Sequence, residues 1–131
     1  MESKELMIGD KILNSNGEIV TIYGITQVGY TYENQEGDMC YGMCKISKPI
    51  ELCGEFLEKN GFEYGKKGRE WALSDDYYDI IVAEWSDSIW AIRYECTEMV
   101  APHHQTTCSY VHEFQHFLKE CGLSELAENL K

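Results

Sequence analysis

The stretch from Cys108 to Gly122 limits most strongly what this chain can become. On a helix each residue advances about 100° around the axis. Wound that way, Tyr110, Val111, Phe114, Phe117, Leu118 and Cys121 fall in one stripe about 120° wide. A stripe of that width has to be buried against a second layer. Gly122 ends the helix, and Ser124 to Leu130 adds a short terminal turn.

The layer that can receive the stripe precedes it. Arg69 to Ser74 carries Trp71 and Leu73, Tyr77 to Trp85 holds the apolar run Ile80-Ile81-Val82-Ala83, and Ile89 to Cys96 alternates in character. Asp75-Asp76 and Ser86-Asp87-Ser88 supply the turns. The pattern predicts an antiparallel meander with one bulky face, covered by the terminal helix. Glu51 to Asn60 reads as a short helix with Leu52, Phe56 and Leu57 on one side. Gly61 closes it, and Phe62 folds back on the last turn. Gly54 weakens that helix by about 1 kcal/mol relative to alanine. The stretch from Thr97 to Thr107 has little pattern; Met99-Val100 is a strand candidate and Ala101 to Gln105 reads as a loop.

The first third is punctuated differently. Lys11-Ile12-Leu13, Glu18 to Ile25, Gln27 to Glu33 and Met39 to Ile46 are strand candidates. Asn16-Gly17 predicts a tight hairpin turn with both residues at positive φ, and Asn34 to Asp38 a second turn. Short strands at near ten-residue spacing predict a small β-barrel-like part. Pro49 marks the join. The expected fold is α+β: a barrel-like part over residues 1–48, then a helix, a meander and a covering helix over 49–131, packed as one unit.

Charge and cysteines narrow the function classes. The net charge of −12 argues against unaided binding to nucleic-acid phosphates or an anionic membrane. It permits a basic protein partner. The start, Met1-Glu2-Ser3-Lys4-Glu5, has no targeting character and no apolar run reaches the ~20 residues of a membrane span, so a cytoplasmic protein is expected. Its six cysteines, none in a Cys-x-x-Cys pair, are then expected to be thiols, most of them packed as small apolar groups.

One run carries chemistry. In His112-Glu113-Phe114-Gln115-His116 the two imidazoles stack at i and i+4, away from the apolar stripe. Zinc hydrolases use that spacing, with the acid activating a metal-bound water. Here His112 and His116 would be ligands and Glu113 the general base. A third ligand is required, and Cys108, Glu120, Glu125, Glu128, His103 and His104 are all candidates with no spacing that selects one. Against zinc, the motif starts close to the end of the sequence, which leaves little chain for a cleft.

The chain also resembles a family of ~130-residue proteins from Bacteroides-type gut bacteria and their phages and mobile elements. Three motifs carry the resemblance: Ile8-Gly9-Asp10 with Asn16-Gly17; Leu57 to Phe62; and Tyr110 to His116 with Cys121-Gly122-Leu123. The family pattern at the last motif is Tyr-Val-His-x-x-Gln, which implies no zinc site and no activity. Tyr110, His112 and Gln115 then become the residues to explain, as internal polar anchors or as a contact site. The resulting expectation is a non-catalytic interaction or accessory protein with an unknown protein partner and no cofactor. The alternative is a minimal zinc-dependent hydrolase.

Overall fold

The structure, a computed structural model, describes residues 1–65, 69–96 and 104–131. Helix and sheet are mixed, as the α+β expectation holds. In chain order the strands are β1 (Lys11–Leu13), β2 (Ile19–Thr21), β3 (Gly24–Ile25), β4 (Gly29–Glu33), β5 (Met39–Met43), β6 (Lys48–Pro49), β7 (Glu63–Tyr64), β8 (Trp71–Ser74), β9 (Tyr78–Ser86), β10 (Ile89–Cys96) and β11 (His104–Cys108). The helices are α1 (Gly54–Lys59), α2 (Val111–Glu120) and α3 (Ser124–Glu128). No helix among the described residues is long and apolar enough to cross a membrane.

The N-terminal strands form two open three-stranded sheets, β2-β1-β6 and β3-β4-β5, and not a closed barrel. The expected single strand from Glu18 to Ile25 changes partners midway. Thr21 still pairs with Lys11, whereas the amide of Tyr23 donates to Thr31 on β4. On the other side the expected strand from Met39 to Ile46 stops at Met43 and winds into a 3-10 turn, Cys44–Ile46. The two ladders therefore do not join. Between them lies a small core of Leu6, Ile12, Val20, Ile22, Tyr30 and Cys44. Tyr30 is wholly buried and stands directly across from Gly42, where a methyl group would strike its ring. Its hydroxyl bonds Ser47 Oγ at 2.6 Å.

The turn after β1 also differs from expectation. Only Gly17 takes a positive φ, at 79°. The side chain of Asn14 accepts the amides of Asn16 and Glu18, so a side-chain-braced loop replaces the two-residue turn.

The meander is as the sequence predicts, but larger. Its order is β11-β10-β9-β8-β7, all antiparallel. β11 begins at His104 and Gln105, which read as loop, and runs extended through Thr106 and Thr107, which suit a strand, to Cys108, which faces Trp90. The Met99-Val100 candidate lies outside the described residues. Ile80, Val82, Trp90 and Ile92 project from one face onto Val111, Phe114, Phe117 and Leu118 of α2 and Leu57 of α1. After α1, Gly61 turns at φ 90° and the amide of Phe62 reaches back to the Leu57 carbonyl.

Gly54 looks like a helix defect in the sequence, but the packing explains it. A methyl group there would lie 2.7 Å from Trp71 Cζ2, in a ring cluster where Trp71 meets Tyr64 at 4.5 Å and Trp90 at 5.4 Å. Helix propensity would favour Gly54→Ala by about 1 kcal/mol. Overpacking opposes it by about 1–3 kcal/mol. The collision is with a ring held on several sides, so destabilisation should win. Urea unfolding of Gly54→Ala is expected to show a lower midpoint, and a raised midpoint would refute this packing.

Candidate functional site

α2 begins where two segments cross. The Leu52 amide donates to the Ser109 carbonyl and the Val111 amide to that of Ile50, which ties the approach to α1 against the approach to α2. Glu113 Oε1 accepts the amides of Ser109 at 3.0 Å and Tyr110 at 3.1 Å. Free N–H groups at a helix start need such an acceptor. One oxygen of the acid in the His-Glu-x-x-His run is thus committed to starting the helix.

The side of α2 opposite the stripe is not solvent-facing, contrary to the helical-wheel expectation. His112 is 5% exposed and Gln115 not at all. That side packs on the turn from Met7 to Lys11. The carboxamide of Gln115 accepts the Lys11 amide at 2.9 Å and donates to the carbonyls of Gly9 and Ala127, both at 3.0 Å. One side chain so joins β1, the turn before it and α3. His116 Nε2 lies 2.7 Å from Asp10 Oδ2, which also accepts the Met7 amide at 2.8 Å. Lys119 Nζ donates to the Ile8 carbonyl at 2.9 Å.

Asp10 is the residue that residue-by-residue reading passes over. It is fully buried, and its Oδ1 has no hydrogen-bond partner. Its place in the Ile8-Gly9-Asp10 motif was the available signal, since a carboxylate behind a glycine at φ 94° sits on a fixed backbone. His112 Nδ1 is likewise buried without a partner. The His112 ring stacks on Tyr110, with centroids 5.9 Å apart and planes 7° from parallel, and meets the His116 ring edge-on at 5.7 Å. Beside these rings an open cleft of about 610 Å³ lies between Met1, Glu5 and Pro49 on one side and Tyr110, His112, Glu113 and His116 on the other.

The third-ligand candidates do not converge on the histidines. Cys108 is buried in the main core, where burial pushes its thiol up to about 12. His104 is on exposed β11, with its ring 6.2 Å from that of Tyr94, while Glu120, Glu125 and Glu128 are exposed on α2 and α3. His103 lies outside the described residues. Among the described residues no three His, Cys, Asp or Glu side chains are placed to share a metal ion. All six cysteines are free thiols, of which Cys44 and Cys108 alone are buried. No family model, no curated protein and no solved structure matches the chain.

Two predictions follow from the seam. Gln115→Ala strands one amide and two carbonyls in a buried place. The expected loss is about 2–4 kcal/mol in urea unfolding. Gln115→Glu should also destabilise, because a carboxylate cannot donate to Gly9 and Ala127. A loss under about 1 kcal/mol for either variant would show that Gln115 does not join these segments.

Burial lowers the imidazole pKa of His112, outweighing the upward pull of Asp10, Glu113 and Glu5, with His116 adding to the lowering. The folded protein therefore holds His112 neutral where the unfolded chain, titrating near ~6.5, already binds a proton. Stability is fully present above that value and falls as pH drops through it toward the lower folded-state value. The slope from this one group is at most about 1.4 kcal/mol per pH unit. His112→Phe should flatten the melting-temperature profile between about pH 6.5 and 5. Parallel profiles for the two proteins would contradict a neutral, buried His112.

Proposed function

We propose that this chain is a small cytoplasmic interaction or accessory protein, without catalysis and without direct nucleic-acid contact, of phage or mobile-element origin. The observation that carries this reading is the side of the β3-β4-β5 sheet away from the core. Met39, Tyr41 and Met43 alternate along β5 on one face, each about half exposed. β5 is also a sheet edge, so its backbone offers unpaired groups beside the apolar row. A free edge strand next to a methionine-rich face suits docking of another chain by strand addition. The helix that suggested catalysis is meanwhile occupied by structure: Glu113 starts it, and Gln115 and His116 hold the seam. The sequence resemblance adds support, because its motif keeps the seam glutamine and not the second histidine.

Met39→Glu should leave the circular dichroism and melting temperature near those of the wild type, since the site is exposed. It should abolish co-purification of a partner that the wild type retains from cells of its native host. Identical capture by both proteins would contradict the reading. So would stoichiometric zinc in protein purified without added metal and lost in His116→Ala, which would select the zinc-dependent hydrolase.

A further inference from the structure

We propose that the cleft at the start of α2 receives the guanidinium group of an arginine side chain from a basic protein partner. The cleft offers the exposed carboxylates of Glu5 and Glu113; no lysine or arginine lines it, and the α-amino group of Met1 is the one cation on a lining residue. The bonds from Ser109 and Tyr110 fall on Glu113 Oε1 and leave Oε2 outside the helix cap. Acidic residues alone would not mark a site, and the cleft holds more than acids. His112 lines it, is 5% exposed, and keeps a buried ring nitrogen with no partner. His116, which also lines it, is held by its Nε2 against the fully buried Asp10, which does not itself reach the cleft. Buried polar atoms are almost always paired, so the unpartnered ring nitrogen of His112 in the wall of this cleft points to a missing donor.

Three features select a planar organic cation. The donor atoms are too widely spread for a metal ion, whose bonds are only ~2.0–2.3 Å long. A guanidinium spreads five N–H donors over a plane and can reach several acceptors at once. The His112 ring stacks on Tyr110 to within 7°, which fixes the half-buried Tyr110 ring in the cleft wall as an aromatic face on which guanidinium can stack. The net charge of −12 steers a basic partner toward the protein as a whole.

This rests on the interaction reading, but it concerns a different surface from β5, so the two fail separately. The test is a titration of the full chain, with histidine rings labelled for NMR, by N-acetyl-arginine amide. Saturable shifts of the His112 and His116 ring signals are expected, with a Kd of about 1–10 mM for so small a probe. Glu5→Gln, an exposed site, should weaken binding about threefold, and added salt should weaken it further. N-acetyl-lysine amide should bind less well and N-acetyl-glutamine amide should give no saturable shift. Silence at about 10 mM arginine amide would overturn the proposal. Equal shifts with the neutral probe would do the same, as would tight shifts with zinc chloride or putrescine and none with arginine amide. The β5 variant should titrate like the wild type; if it loses its partner and arginine amide stays silent, the interaction reading survives and the arginine site does not.

Discussion

The carboxamide of Gln115 is the interaction on which the rest of the structure depends. It is wholly buried and serves Lys11, Gly9 and Ala127 together. A carboxamide has both donors and an acceptor, which is what a place with one stray amide and two stray carbonyls requires. No apolar residue could fill that role, and neither acid nor base carries both kinds of group in their charged forms. The N-terminal sheets bury only a small core of their own. Their attachment to the larger core therefore runs through polar bonds on α2, supplemented by the Asp10–His116 pair and by Lys119 on the Ile8 carbonyl.

This gives α2 two working faces. One carries the apolar stripe into the five-stranded sheet; the other brings Gln115 and His116 onto the turn before β1 and buries His112. A helix enclosed on both sides has little polar surface to spare, so a resemblance to a metal-binding run can arise from structural need. Gln115 and His116 meet the polar groups of the Met7–Lys11 turn, and His112 stacks on Tyr110. The acid between the histidines meets the open amides before the helix. What these contacts leave unsatisfied is small: one nitrogen of His112, which lines the cleft, and one oxygen of Asp10, which bonds cleft-lining His116 through its other oxygen.

Much of the architecture is legible in the sequence because it is written in periodicity. The stripe on α2, the run in β9, the Gly61-Phe62 closure and the Asn34 turn are local patterns with local causes. The failures share a different origin. Whether strands near Ile22 and Cys44 close a barrel depends on which partner each amide finds, and that is decided far away in the chain. β11 is polar and edge-like, so it carries no apolar alternation to detect. The burial of His112 and Gln115 could not be read from a helical wheel, which knows a helix's own apolar side and not what covers the other. The packing reason for Gly54 is hidden in the same way, since its neighbour Trp71 is distant in sequence. At the site, the sequence points to Tyr110, His112 and Gln115 through the family resemblance, while Asp10 becomes meaningful only once the two ends of the chain meet.

Gln115 makes the N-terminal strands and α2 a single cooperative unit. Native-state hydrogen exchange of the Lys11 amide tests it most directly, because that N–H is held by the Gln115 side chain and not by a neighbouring strand. Lys11 is expected to exchange with the same opening free energy as the Phe114 and Leu118 amides of α2. Exchange of Lys11 through a much cheaper opening, with α2 still protected, would contradict it.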